Sequence, residues 1–176
     1  MAALDSGGKN IPEYTSIVPS VAFSGIVIES YAFHHAHDEM NTYRDFRHNI
    51  RICLAGRAAE EVIFGVEGIS SGAAEDLENA TRHASKAFAC WGFVPQMEKN
   101  GRSGSNLGVV FGKPSLSEMK HVETLVRQFL EEEYEVVKTM LEQNRSLLDA
   151  VAERLVADPI LGQDELSAIF SARQVV

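Results

Sequence analysis

Small residues and carboxylates are concentrated in one stretch of the chain, Leu54 to Thr81, which reads LAGRAAEEVIFGVEGISSGAAEDLENAT. The residues in question are Ala58, Ala59, Glu60, Glu61, Ala73, Ala74, Glu75 and Asp76. Small residues let helices approach closely, and a carboxylate in such a tight corner costs free energy unless something pairs with it. A metal ion, an arginine or a ring of backbone N–H groups could be that partner.

Asp76 is the carboxylate best placed for such chemistry. It lies in the first turns of a helix predicted to begin after Gly72, where the helix dipole favours negative charge. The residues alone leave two interpretations open. Either Asp76 binds a cation, or Asp76 and Glu75 are helix-start residues without chemistry.

A second group of potential metal ligands is the run FHHAHDE, with His34, His35 and His37 followed by Asp38 and Glu39. On a strand, the H-x-H spacing points two imidazoles the same way. Three interpretations compete for this run: a solvated turn with surface histidines, a surface site for zinc or nickel, and a relocated catalytic centre.

The elements that position these residues follow from hydrophobic periodicity, which predicts a mainly α fold of the α+β class. Short β-branched runs at residues 14–18, 21–23 and 25–28 predict two or three strands in a small N-terminal sheet over residues 10–31. Apolar residues at spacings of three and four predict a helical bundle over residues 43–176. Its first three helices are expected from Tyr43 to Gly65, from the Ser70 region to Trp91, and from Ser115 or Ser117 to about Arg145, the last with Val136 in its buried stripe. The helix is expected to continue from Ser146 to Val156 and to break at Asp158-Pro159, and a short last helix is expected from Glu165 to Phe170.

Capping residues and charge refine this prediction. Thr42 or Asn41 is expected to cap the first long helix, and Ser70 or Ser71 the second. The acidic run 131–133 on the longest helix is expected to be a solvated face.

Composition limits the classes of function. The 176 residues suit one domain, and the formal charge of −9 disfavours a nucleic-acid partner. The apolar runs are too short for a membrane span. Cys53 and Cys90 stand alone in apolar surroundings and are expected to be buried thiols in a reducing compartment, which favours a cytoplasmic location.

The segments LAGRAAEEVIFG and SSGAAEDLENAT together resemble the signature of the FtsH-type proteases, which are membrane-anchored AAA zinc metallopeptidases. TSIVPS, WGF…LGVVFG, LEQNRSLLDAVAERLV and LGQDELSAIF resemble further segments of that family in the same order. The resemblance implies an ATP-dependent peptidase that acts on protein or peptide substrates. It also implies an AAA ATPase domain as partner, a ring-shaped hexamer, and a peptidase domain in the cytosol or an organelle interior.

The resemblance also assigns site residues. The family holds zinc with two histidines of an H-E-x-x-H helix and one aspartate, and that aspartate matches Asp76. Zinc lowers the pKa of its bound water and polarises the scissile carbonyl, and the glutamate of the motif is the general base. Glu60 matches an acidic position close to the metal, where it would support the ligands. The alternative is that Glu60 and Glu61 make ordinary helix-surface contacts. In the family, the region matching the histidine run is a variable segment.

The 176 residues contain no H-E-x-x-H and no Walker motif. The resemblance places H-E-x-x-H shortly before TSIVP, so that its second histidine falls at or just before Met1. We therefore expect a single peptidase domain, residues 1–176, truncated at its N-terminus, with Met1 as an artificial start. Such a chain lacks the catalytic glutamate, binds zinc weakly or not at all, is inactive alone, and is a monomer or dimer.

Two other interpretations compete with that of a truncated peptidase domain. The chain is either a natural non-catalytic FtsH-like assembly or interaction module, or a metal-binding protein that acts through His34, His35 and His37.

Overall fold

A computed structural model describes residues 11–19, 26–28, 42–93 and 116–172. The chain forms two compact units, one of Met1–Asn41 with Met140–Val176 and the other of Thr42–Thr139. The described residues are mainly α-helical with one small antiparallel sheet, which confirms the predicted fold class.

The described helices are α1 (Tyr43–Phe64), α2 (Ala74–Cys90), α3 (Leu116–Gln143), α4 (Arg145–Ala157) and α5 (Gln163–Ala172). The described strands are β1 (Tyr14–Ser16), β2 (Ile26–Ile28) and β3 (Ile160–Gly162). A 3₁₀ turn, Val66–Gly68, lies between α1 and α2. None of the helices in these described ranges has the length and hydropathy needed to cross a membrane.

The sheet belongs to the first unit and has the order β2-β1-β3, with both pairings antiparallel. Tyr14 stands opposite Ile28 on one side and Gly162 on the other. Leu161 of β3 is completely buried. Glu165 at the start of α5 accepts the Gly162 N–H at 3.1 Å and pairs with Arg154 of α4 at 2.7 Å. These contacts join the sheet to the last two helices.

Strand β3 corrects the sequence prediction, which placed the whole sheet near the N-terminus. The predicted strands around Tyr14 and Ile28 are present, but the third described strand comes from residues 160–162. Sequence patterns read this segment as a helix break at Pro159 followed by a lead-in to the last helix. A strand of three residues is too short to show alternating hydrophobicity. The predicted run 21–23 lies outside the described residues.

The second unit is built from α1, α2 and the first part of α3. Phe46 of α1 stacks on Phe129 of α3, with ring centroids 5.3 Å apart, and meets Phe88 of α2 edge to face at 6.0 Å. The remaining buried apolar residues recur at helical spacing on all three helices: Ile50, Leu54, Ala58, Ala80, Ala84, Ala87, Leu125, Val126 and Val137. Alanines on α2 allow close packing of α1 and α2.

The boundaries of α1 are as predicted. Thr42 caps it in a capping box, in which Thr42 Oγ1 accepts the Asp45 N–H at 3.2 Å and Asp45 Oδ2 accepts the Thr42 N–H at 3.0 Å. Gly65 ends the helix with φ of 72°, a backbone conformation that favours glycine. The predicted cap of α2 is wrong, because Ala73 occupies that position and no side chain caps the helix.

Three further predictions fail on burial. Glu131 and Glu132 are solvated as expected, but Glu133 is 3% exposed. Its carboxylate receives Arg47 Nε–H at 2.8 Å and Arg51 Nε–H at 2.6 Å, and these charges make its burial tolerable. Val136, expected in the buried stripe of α3, is exposed. Cys90, expected to be a buried thiol, is exposed at the end of α2.

Candidate functional site

Asp76 lies in the first turn of α2, as predicted, with Glu75 beside it. Its carboxylate is directed at α1, where Gly56 carries no side chain. A Cβ built on Gly56 would stand 3.9 Å from Asp76 Oδ2. The first turn of α2 therefore presents an acidic group to the middle of α1, at a point where α1 exposes backbone only.

The surroundings of Asp76 disfavour its negative charge. The residue as a whole is exposed, yet partial desolvation raises the pKa of Asp76, and the adjacent charge of Glu75 raises it further. A cation at this carboxylate would offset both effects, because it would supply positive charge that the described residues do not contribute to the pKa of Asp76. The position thus suits an oxygen ligand for a metal ion.

Glu60 lies on α1, one turn after Gly56, and it holds the connection that leads into α2. Its Oε1 accepts the hydroxyl of Ser70, and its Oε2 accepts the Ser70 N–H at 3.2 Å. Ser70 Oγ in turn accepts the Gly72 N–H at 3.1 Å. The hydroxyl of Ser70 is the main cause that lowers the pKa of Glu60, followed by the Ser70 N–H, with Arg57 contributing. Glu60 is therefore held as a carboxylate by the turn that it fixes.

Glu61 connects two helices, α1 and α3, through its carboxylate. Tyr134 Oη of α3 donates to Glu61 Oε2 at 2.7 Å, and Lys138 Nζ donates to Oε1. The hydrogen bond from Lys138 and then that from Tyr134 lower the pKa of Glu61. Desolvation first, and the bond to Glu61 second, raise the pKa of Tyr134 well above its usual range. The half-buried Glu61 thus links α1 to α3. Of the two glutamates, it is Glu60 that contacts the turn leading to Asp76.

Two further residues contribute to this region, and the sequence did not predict their contacts: Gly56 lies beside Asp76, and Ser70 bonds to Glu60. A glycine inside an amphipathic helix is a recognisable signal, because glycine weakens helices. Ser70 was expected to cap α2, and its partner on α1 lies ten positions earlier in the chain. No sequence spacing rule links such positions.

The described residues do not complete a metal site. Among them, no group of three or more histidine, cysteine, aspartate or glutamate side chains is placed to hold a metal ion. His34, His35 and His37 lie outside the described residues. Zinc accepts a carboxylate oxygen, so Asp76 fits one ligand position of a zinc ion, and among the described residues no side chain at position 56 covers its Oδ2. The part of the chain described here does not supply the other ligands.

Several curated proteins are similar to this chain. It is 28% identical over 161 residues to "ATP-dependent zinc metalloprotease FtsH 1" of Alkaliphilus metalliredigens, an alignment that covers 90% of this chain and 25% of that protein. It is 34% identical over 125 residues to "ATP-dependent zinc metalloprotease FTSH 6, chloroplastic" of Oryza sativa, covering 67% of this chain and 18% of that protein. With "ATP-dependent zinc metalloprotease FtsH" of Thermus thermophilus it shares 32% identity over 124 residues, 68% of this chain and 20% of that protein.

The chain thus spans a quarter or less of the length of these relatives. The family model of peptidase family M41 matches residues 11–169, which include α1, α2, the turn between them and all three strands. This match covers most of the chain and confirms the resemblance found in the segments around Glu60 and Asp76. The chain therefore belongs to peptidase family M41.

Proposed function

We propose that this chain forms part of the peptidase domain of an ATP-dependent zinc metallopeptidase, and that Asp76 is one of the zinc ligands. The observation that carries the proposal is the placement of Asp76, whose carboxylate is directed at a helix position without a side chain. The relatives named above are zinc metalloproteases by name, which supports zinc as the metal.

Zinc, when bound, lowers the pKa of its water and polarises the carbonyl of the scissile peptide bond. The contribution of this chain is to hold one carboxylate in place. Glu60 fixes the turn that leads into α2 through Ser70, and it thereby supports the position of Asp76. Glu61, through Tyr134 and Lys138, holds α1 against α3.

We also propose that the 176 residues by themselves bind zinc weakly or not at all and do not cleave peptides. They contain no H-E-x-x-H, and hence neither the two histidine ligands nor the general base of that motif. By the same family argument, the complete assembly is a hexamer with an AAA ATPase that delivers unfolded or damaged proteins, located in the cytosol or an organelle interior. The chain alone is expected to be a monomer or dimer, and light scattering that found a stable hexamer would contradict this.

The test uses the complete natural gene product that contains this sequence. Zinc content and chelator-sensitive casein degradation are measured for the wild type, Asp76→Asn and Asp164→Asn. Asp164 is the matched control, because it is an exposed aspartate in the first turn of a different helix, α5. Loss of zinc and activity in Asp76→Asn alone supports the proposal. Full zinc occupancy in Asp76→Asn overturns it.

The absence of H-E-x-x-H from these residues favours one other candidate, a non-catalytic assembly or interaction module with the same fold. The same measurements separate the two. A gene product that contains no zinc and degrades no casein is the module, whereas bound zinc with chelator-sensitive cleavage excludes it.

A metal site at His34, His35 and His37 is a separate proposal, which rests on the density of ligands in that run. Calorimetric titration with zinc or nickel should give binding that disappears in the triple His→Ala variant. Identical titrations of the two proteins would exclude such a site.

A further inference from the structure

Gly56 lies at a position of α1 where glycine is unfavourable. It lies in the interior of a 22-residue helix and is exposed. Glycine in such a position weakens a helix relative to alanine, because the unfolded chain gains conformational freedom. Alanine would therefore favour the helix.

The described structure gives no steric reason for glycine at this position. Its backbone is helical, unlike that of Gly65 or Gly92, which have positive φ. Among the described residues, a Cβ at position 56 would meet one heavy atom within 4 Å, Asp76 Oδ2 at 3.9 Å. That distance is an ordinary van der Waals contact, so packing of α1 against α2 tolerates alanine.

What a side chain at position 56 would change is the environment of the Asp76 carboxylate. A methyl group would cover part of the surface of Oδ2, and a longer side chain would extend past it. A carboxylate oxygen that binds zinc must be approached to about 2.0–2.2 Å, so it needs unoccupied space beside it. Position 56 borders this space on the side of α1, because a Cβ there would stand 3.9 Å from Oδ2.

We propose that Gly56 is a positioning residue for the metal, because its missing side chain leaves Asp76 Oδ2 open to a divalent cation. This inference rests on the proposed role of Asp76 as a ligand. It gives a reason for glycine at position 56, where alanine would make the helix more stable. Leucine at position 56 should block the space sterically. Lysine should fill it and also place a competing positive charge beside the carboxylate.

The experiment measures zinc affinity of the complete natural gene product by competition with a chromophoric chelator. The variants are Gly56→Leu, Gly56→Lys, Gly56→Ala and Asp76→Asn, with Arg44→Leu as the control that adds an exposed leucine elsewhere on α1. Circular dichroism and thermal unfolding show that each variant is folded.

Gly56→Leu and Gly56→Lys are expected to raise the Kd for zinc by about 10- to 100-fold, the range found when residues that support metal ligands are changed. Gly56→Ala should have a smaller effect on the Kd and a higher thermal midpoint, and Arg44→Leu should bind zinc like the wild type. Lysine at an exposed helix position is compatible with folding, so Gly56→Lys decides the question if the leucine variant does not fold.

The outcomes distinguish this inference from the proposed function. If Asp76→Asn loses zinc while the folded Gly56 variants bind it like the wild type, the role of Gly56 is wrong and that of Asp76 stands. If Asp76→Asn binds zinc like the wild type, the proposed ligand is wrong, and the inference about Gly56 fails with it.

Discussion

Glu60 and Ser70 are joined by two hydrogen bonds, one from the hydroxyl of Ser70 and one from its backbone N–H at 3.2 Å. This pairing connects α1 to the turn that precedes α2, although no side chain caps α2 itself. The position of Asp76 relative to α1 therefore depends on a contact made six residues before it.

Replacing Glu60 by glutamine should loosen this turn, because the amide offers one acceptor oxygen in place of two and carries no charge. We expect faster hydrogen exchange at the amides of Ser70 and Gly72, and zinc affinity about tenfold lower in the complete gene product. Hydrogen–deuterium exchange and chelator competition are the measurements. Glu67→Gln, which changes an exposed glutamate in the adjacent 3₁₀ turn, is the control. Unchanged exchange at Ser70 in the Glu60 variant would contradict the role assigned to Glu60.

Replacing Glu133 by alanine should destabilise the second unit strongly. Its loss removes the carboxylate that Arg47 and Arg51 share. Leaving a buried charge unpaired typically costs about 3–5 kcal/mol, and because the arginines are 29% and 16% exposed, we expect a loss at or below the lower end of this range. Denaturant unfolding followed by Trp91 fluorescence measures the change, since Trp91 packs against Phe46 in the same unit. Glu132→Ala, one position earlier and exposed, should change the free energy of unfolding by less than about 0.5 kcal/mol. Equal effects of the two substitutions would show that the pairing of Glu133 with the arginines contributes little to the free energy of unfolding.

The link between Glu61 and Lys138 predicts a pH dependence of stability. Because the folded state lowers the pKa of Glu61 below its ordinary value of 4.5, the ionised carboxylate stabilises the fold above that pH. This stabilisation is lost as the pH falls through the lower folded pKa. Wild type should therefore be more stable than Glu61→Gln at neutral pH, and the difference should shrink once the pH drops below 4.5.

Thermal unfolding of both proteins across the acidic range checks this dependence. Glu78→Gln, at an exposed position on α2, should show no comparable change with pH. A difference between wild type and Glu61→Gln that is constant from neutral to strongly acidic pH would mean that ionisation of Glu61 is not the cause.

Local sequence signals were sufficient to predict the helices and both ends of α1, but they gave the wrong cap for α2. Thr42 and Gly65 act through neighbouring residues, so capping and glycine rules place both ends of α1 correctly. Asp76 lies in the first turn of α2 as predicted, although the capping residue of that helix was predicted wrongly.

Contacts between residues distant in the chain could not be predicted in this way. Strand β3 pairs with β1 across more than 140 residues, and three residues carry no periodicity. The burial of Glu133 depends on two arginines that lie 82 and 86 positions earlier. The acidic run around Glu133 was predicted to be solvated because the neighbouring sequence does not contain the arginines that pair with Glu133. Likewise, the proximity of Asp76 to Gly56, twenty positions earlier, is visible only in the folded structure.

The most direct test of the account is anomalous diffraction at the zinc edge from crystals of the complete natural gene product. We expect a zinc peak within bonding distance, about 2.0–2.2 Å, of a carboxylate oxygen of Asp76. A zinc peak at other residues, with Asp76 outside its coordination, would contradict the account.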